Sequence, residues 1–367
     1  MVTRVVQDCN RSPGSWREPS ARRDEGLIGG LRKGRQSKGP QRVRTHEGTD
    51  AVIEEVERWL EHRSWTANDW PVERLAALKR ATGASVAVVL PALNEEATVG
   101  AIVDVIRREL VEAVPLVDEL VVLDSGSTDR TAELARAAGA RVVHRDAVLP
   151  RLPALPGKGE VLWRSLLATD SDLICFVDAD LKDFSSAFVT GILGPLLAEQ
   201  DVHLVKAMYD RPLGSEPGQG GRVTELMARP LLNMHWPRLS GFVQPLGGEY
   251  AGRRSLLEQL PFPVGYGVEL GLLVDALHTV GLDALAQVDV GVRVHRHQDG
   301  QALGRMAATI YRTAQVRLAR GHLVRPELTQ FDRLPEGGFE AHTHAVDTEE
   351  RPPMREIPEY TERRAAA

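Results

Sequence analysis

Residues 85–90 form an unbroken apolar run, and behind it Val99, Ile102, Val103, Ile106 and Leu110 recur at helical spacing. This predicts a buried strand feeding an amphipathic helix. The pair repeats at 120–123, where a strand is followed by a helix that Thr128 can cap and that stops at Gly139. Residues 141–144 and 173–177 read as a third and a fourth strand. Such alternation predicts an α/β fold, mainly a parallel sheet wound with helices, with ligands at the carboxyl ends of the strands. Upstream, Val52, Val56, Trp59 and Leu60 share one face of a short helix, and 72–79 reads as a second. Downstream the chain is mostly helical, except where Val288, Val290, Val292 and Val294 alternate with Asp289, Gly291, Arg293 and His295. That strand should bury its valines and present Arg293, His295 and, if extended, His297.

The chemistry sits where these strands end. The fourth strand runs into Asp178-Ala179-Asp180, whose two carboxylates can reach one side. A hard cation, Mg2+ or Mn2+, is held in this way between carboxylates and a bound diphosphate, although two acids can also simply open a solvated turn. The first strand ends in Pro91-Ala92-Leu93-Asn94-Glu95-Glu96 and the second in the run from Asp124 to Asp129. Glu95 and Asp124 suit ribose hydroxyls, while Ser125 and the backbone near Pro91 suit a base. Each is equally a cap or turn residue when taken alone. Three acidic turns at three successive strand ends point to a nucleotide.

Lys158 stands between Gly157 and Gly159, where it can reach a diphosphate as a point charge. No Ser or Thr follows it, so this is not a Walker loop, and the lack of G-x-G-x-x-G after the first strand argues against a dinucleotide. The glycine-rich run 214–225 ends in Gly221, Arg222, Val223 and Thr224, an anion cradle at a helix start. Glu269, after Gly265, Tyr266, Gly267 and Val268, opens an apolar helix. There it can complement the helix dipole or accept from sugar hydroxyls. His295 would complete the ligands of Asp180, whereas His203, His235 and His278 read as structural.

Composition changes little of this. With 367 residues, 43% hydrophobic and 26% charged, the chain has room for one large α/β domain or two modest ones. The net charge of −6 hides a leader, residues 1–48, with eleven Lys or Arg against five Asp or Glu. It lacks interleaved aromatics, so a disordered solubilising extension is expected rather than a nucleic-acid arm. No run approaches the roughly 20 apolar residues of a membrane span, and two cysteines make no disulfide framework. A cytoplasmic protein without membrane or nucleic-acid partners is expected. The organisation expected is a leader at 1–48, helices at 49–84, a nucleotide-sugar part at 85–210, an acceptor part at 211–325 and a tail at 326–367.

Taken together, the runs 89–96, 124–131, 157–160, 176–180, 220–224, 243–250, 265–269 and 291–296 resemble the glucosyl-3-phosphoglycerate synthase family, retaining glycosyltransferases of GT-A fold. The resemblance covers about 51–323. It implies that Pro91, Ala92, Leu93, Asn94, Glu95, Ser125, Lys158, Asp178, Ala179 and Arg293 hold a nucleotide sugar, and that Tyr266, Gly267, Val268 and Glu269 contact its glucose. It also implies that Asp180 and His295 hold the divalent cation, that Gly221 to Thr224 hold phosphoglycerate, that Glu269 and Lys158 serve catalysis, and that the enzyme is a homodimer. One position departs from the family pattern: His297 replaces the asparagine that meets the acceptor. A mannosyl-transferring relative and a non-catalytic nucleotide-sugar binder are the alternatives.

Overall fold

The computed structural model describes residues 47–211, 221–293, 299–318, 327–333, 339–346 and 348–366. The strands are β1 (Ser64–Thr66), β2 (Val86–Ala92), β3 (Glu119–Asp124), β4 (Arg141–His144), β5 (Leu173–Phe176), β6 (Leu204–Asp210), β7 (Tyr250–Arg253), β8 (Phe262–Pro263), β9 (Leu285–Val292), β10 (Glu327–Arg333), β11 (Phe339–Ala345) and β12 (Glu350–Arg351). The α-helices are α1 (Glu47–His62), α2 (Val72–Thr82), α3 (Val99–Ile106), α4 (Thr131–Ala137), α5 (Lys158–Ala168), α6 (Ala187–Ala198), α7 (Arg229–His235), α8 (Arg254–Leu257), α9 (Val268–Val280), α10 (Gly300–Leu318) and α11 (Pro358–Ala366).

Eight strands form one sheet in the order β1-β9-β6-β7-β5-β2-β3-β4. β2 pairs in parallel with β3 and β5, and β9 in parallel with β1 and β6. β7 alone runs against both its neighbours, β5 and β6. The apolar strands are buried on both faces, as a sheet covered by helices requires. Val89, Ile174 and Phe176 pack into one core layer, while Val88, Leu90 and Cys175 pack into the other.

The structure corrects several expectations. Leu60 is 38% exposed, whereas Val56 and Trp59 are buried, so the apolar stripe of α1 is narrower than its spacing suggests. Thr128 does not cap α4: Asp129 does that work, its Oδ1 accepting from Thr131 N at 2.9 Å, and Thr128 instead donates to Asn94. The alternation at 288–294 breaks at Gly291, whose φ of 92° lies in the left-handed region, next to a register shift between Met208 and Asp210. Val292 therefore turns outward at 54% exposure and Arg293 turns inward at 3%. The stretch expected as a tail carries the β10–β11 hairpin, and further on Met354, Ile357 and Tyr360 are buried in the core.

Candidate active site

The carboxyl ends of β2, β3, β5 and β9 meet the amino ends of α5, α9 and the antiparallel β7. Two short loops are joined first. Asn94, with φ 58°, donates from its backbone to Ser127 Oγ at 3.0 Å and accepts at Oδ1 from Thr128 N at 2.9 Å. Glu95 N donates to Thr131 Oγ1 at 2.7 Å, and Ser125 N donates to Ala92 O at 2.8 Å. Thr98 Oγ1 donates to Ala179 O at 2.6 Å, which ties the β2 loop to the end of β5. Asp124, suggested for a ribose, is committed to its own turn, with Oδ1 accepting from Ser127 N at 3.0 Å. Leu93 and Tyr266 are about half exposed, at 53% and 51%.

The centre is a chain of alternating charges. Lys158 forms ion pairs with Asp178 and, at 2.9 Å, with Glu269 Oε1. Arg293 Nη2 donates to Asp178 Oδ2 at 2.8 Å and to Asp180 Oδ1 at 3.1 Å, so both acids reach one nitrogen. The Arg293 Nε donates to Glu249 Oε1 at 2.7 Å, and Tyr209 donates to Glu249 Oε2 at 2.7 Å. Burial opposes charge on Lys158, yet Asp178 and Glu269 outweigh it and hold the ammonium well above its ordinary range. Burial likewise works against ionisation of Asp178, but Lys158 and Arg293 hold that carboxyl well below the usual range. Asp180 is pushed the other way, by burial and then by Asp178. The two aspartates, alike in sequence, are thus set to different tasks.

Their contacts separate them as well. Asp178 has a cation on each oxygen, whereas among the described residues Asp180 pairs only with Arg293, and its side chain is 37% exposed. Asp180 is therefore the carboxylate with an oxygen open to a hard cation, which suits a divalent ion completing its shell with diphosphate oxygens. Among the described residues no cluster of three or more His, Cys, Asp or Glu forms a self-sufficient cage. His295 and His297, with residues 214–220 of the glycine loop, lie outside the described residues.

Close backbone approach explains the glycines beside Lys158. A Cβ on Gly157 would lie 2.2 Å from Val264 O and one on Gly159 1.8 Å from Pro263 O, so only glycines let α5 start here. Gly248 faces the charged array itself: its Cβ would fall 2.3 Å from Lys158 Nζ and 2.4 Å from Asp178 Oδ2. Gly221 has φ 75° and its carbonyl accepts from Glu225 N at 3.1 Å, which opens the helix bearing Arg222, Val223 and the buried Thr224.

Sequence reasoning missed Gly248, Glu249, Lys206, Tyr209 and Arg145. Arg145 Nη1 donates to Ser125 Oγ at 3.0 Å beside the proposed base site. Lys206, 2% exposed, donates to Gly247 O at 2.8 Å and stacks 4.8 Å from the centre of the Tyr250 ring. Burial pulls its pKa down to about 8, with Glu269 opposing. In the unfolded chain a lysine titrates near 10.4, so between those values the unfolded state binds more protons. Relative to Lys206→Met, wild-type stability should rise with pH across that window, at up to about 1.4 kcal/mol per pH unit. Denaturant titrations of both proteins from pH 7 to 10 check this, and a flat difference would contradict it.

The family described as Glycosyl transferase family 2 matches residues 87–260. The glucosyl-3-phosphoglycerate synthase of Mycolicibacterium smegmatis is 52% identical over 302 residues, covering 81% of this chain and 97% of that one. The chain belongs to the glucosyl-3-phosphoglycerate synthase family. A structure of the synthase of Mycobacterium tuberculosis in complex with Mn2+, UDP-glucose and phosphoglyceric acid has a TM-score of 0.70 and 46% identity, covering 78% of this chain and 95% of its own. The mannosyl-3-phosphoglycerate synthase of Rubrobacter xylanophilus has a TM-score of 0.77 and 39% identity, covering 82% and 97%. The glucosyl-3-phosphoglycerate synthase fold is thus shared with an enzyme named for another sugar.

Proposed function

We propose that this chain transfers glucose from UDP-glucose to the 2-hydroxyl of 3-phosphoglycerate with retention, giving glucosyl-3-phosphoglycerate. The observation that carries the reading is the array of Lys158, Asp178, Arg293 and Asp180 at the strand ends, set in a chain 52% identical to such a synthase. Pro91, Ala92, Leu93, Asn94, Glu95 and Ser125 take the nucleotide, with Asp178, Ala179 and Arg293 beneath its diphosphate. A divalent cation, Mg2+ or Mn2+, held by Asp180 and His295, would neutralise the departing diphosphate when bound. Lys158 adds a fixed positive charge at the same place, preorganised by its two carboxylate partners. Tyr266, Gly267, Val268 and Glu269 orient the glucose, and Gly221, Arg222, Val223, Thr224 and His297 take the acceptor.

In the reaction the bond from the anomeric carbon to the diphosphate breaks and a bond to the acceptor 2-oxygen forms on the same face. The hydroxyl proton passes to the leaving phosphate oxygen. Asp178, Asp180, Glu249 and Glu269 are each held by a cation, which favours this front-face route over a covalent carboxylate intermediate. The reading includes a nucleotide-sugar part at 85–210, an acceptor part at 211–325 and a cytoplasmic homodimer without nucleic-acid or membrane partners. Among the described residues no helix is long and apolar enough to cross a membrane.

The TM-score of 0.77 to the mannosyl enzyme favours mannose transfer as a second reading. Incubation with 3-phosphoglycerate and a panel of UDP-, GDP- and ADP-glucose and GDP-mannose, with products identified by mass, separates them. A glucosyl product from UDP-glucose is expected. A mannosyl product alone would sink the glucose assignment, and no product from any donor would sink transferase activity.

Arg222→Ala should weaken 3-phosphoglycerate binding by roughly tenfold or more, because a hydrogen bond to a charged group contributes about 1.5–3 kcal/mol. Its place in the first turn after Gly221 motivates the choice. UDP binding should barely change. Calorimetry showing equal losses for both ligands would remove Arg222 from the acceptor site.

A further inference from the structure

We infer that a second anion site, for a small phosphorylated molecule, lies between α8 and α11, at the opposite end of β5 from the catalytic array. A cavity of ≈ 380 Å³ opens there, with Arg253, Arg254, Arg355 and Arg364 in its wall. That volume falls within the range of small-molecule pockets. Asp172 also lines it and precedes β5, whereas Asp178 follows that strand, so the two sites stand about 20 Å apart at roughly 3.3 Å per residue.

The case rests on an excess of arginine over carboxylate in the wall. Among the described residues the four arginines donate only to neutral oxygens. Arg254, 3% exposed, gives Nε to Ser171 O at 2.6 Å, Nη1 to Leu166 O at 2.6 Å and Nη2 to Thr169 Oγ1 at 2.8 Å. Arg253 gives Nε to Val202 O and Nη2 to Leu196 O, both at 2.8 Å. Arg355 donates to Gln259 Oε1 at 3.0 Å and Arg364 to Asp170 O at 3.2 Å. Of the two acids in the wall, Asp172 partly balances Arg364 and Arg254: burial works against its charge, but Ser85 and then these two arginines hold its carboxyl below the usual range. Both acids also spend hydrogen-bond capacity on neutral donors. Asp172 Oδ2 accepts from Ser85 N at 2.9 Å and Ser85 Oγ at 2.8 Å, and Glu258 Oε2 accepts from Tyr360 at 2.6 Å.

Four guanidiniums against two wall carboxylates, with Asp201 also acting on Arg253, leave a net positive wall that suits a phosphate group. Arg254 is the buried cation of the wall, and an anion in the cavity would add to the counter-charge that Asp172 gives it. Arginine, with its planar fork of donors, is the side chain best matched to phosphate oxygens. The neighbouring Ser255 hydroxyl supplies a neutral donor a phosphate ester would also use, whereas Thr361 Oγ1 donates to Pro358 O at 2.9 Å.

The test uses the full chain with its catalytic site filled by Mn2+, UDP and 3-phosphoglycerate, and two probes, inorganic phosphate and fructose 1,6-bisphosphate. Calorimetry should show saturable binding of the bisphosphate to wild type. Arg355→Ala/Arg364→Ala removes two exposed donors, and Ser255→Glu introduces a carboxylate at an exposed wall position. Each should weaken the bisphosphate at least tenfold while the thermal shift produced by UDP with Mn2+ is unchanged. Absence of binding by both probes to wild type, or wild-type affinity in both variants, would overturn the site.

Discussion

Gly248→Ala should leave a folded protein whose transfer rate falls about a hundredfold or more. The added methyl would lie 2.3 Å from Lys158 Nζ and 2.4 and 2.6 Å from the two Asp178 oxygens. Neither group can withdraw without loss: Lys158 is paired with Asp178 and Glu269, and Asp178 is paired with Arg293 as well. Pushing Lys158 aside by about 1 Å would misplace the charge proposed to meet the diphosphate, and misplacement on that scale is worth about two orders of magnitude in rate. The φ of Gly248 is not among the left-handed ones, so space rather than backbone strain excludes a side chain. Steady-state kinetics with saturating donor, beside a melting curve, checks this. Activity within a few-fold of wild type would show that the array tolerates displacement, and the role given to Lys158 would fail.

Asp180→Asn should reduce transfer about a thousandfold while the metal-free protein melts no lower than wild type. The rate loss follows from losing the oxygen through which a cation would neutralise the leaving group, a contribution of several kcal/mol. The stability half of the statement has a separate cause. Asp180 shares one Arg293 nitrogen with Asp178, and burial together with that like charge disfavours its ionised form. Neutralising it removes the repulsion and keeps the shape, a common trade of stability against function. Adding Mn2+ with UDP should then raise the melting temperature of wild type and not of the variant. Chelator should likewise stop the wild-type reaction. Full turnover by Asp180→Asn, or by wild type in metal-free buffer, would refute the assignment.

The parts of this site that could be read in the sequence are those fixed by local pattern. An apolar strand running into Asp178 and Asp180, and Lys158 set between two glycines, declare themselves because the strand ending and the close approach are encoded within a few residues. Glu249 and Gly248 do not. They lead directly into β7, and alternating strands and helices predict parallel neighbours, with nothing in Gln244 to Tyr250 to signal a strand inserted antiparallel between β5 and β6. Lys206 was hidden for the same reason, since its partner carbonyl is that of Gly247. Arg293 was visible but assigned the wrong face: strict alternation sends it to solvent, and the left-handed Gly291 reverses it. A one-residue slip inverts every later side chain, and periodicity gives no warning of it.

The alternating chain of charges also couples the binding of cation and nucleotide sugar. Lys158, Lys206, Arg211 and Arg293 stand against Asp178, Asp180, Glu249 and Glu269, so the array itself has no positive charge to spare. A nucleotide sugar arriving alone brings two negative charges that the balanced array does not offset, whereas a divalent ion bound beside it would offset them. Each ligand therefore raises the affinity for the other by the same factor, as thermodynamic reciprocity demands. Donor held without its cation would be held weakly, so such an enzyme wastes little nucleotide sugar on non-productive encounters when divalent ions are scarce.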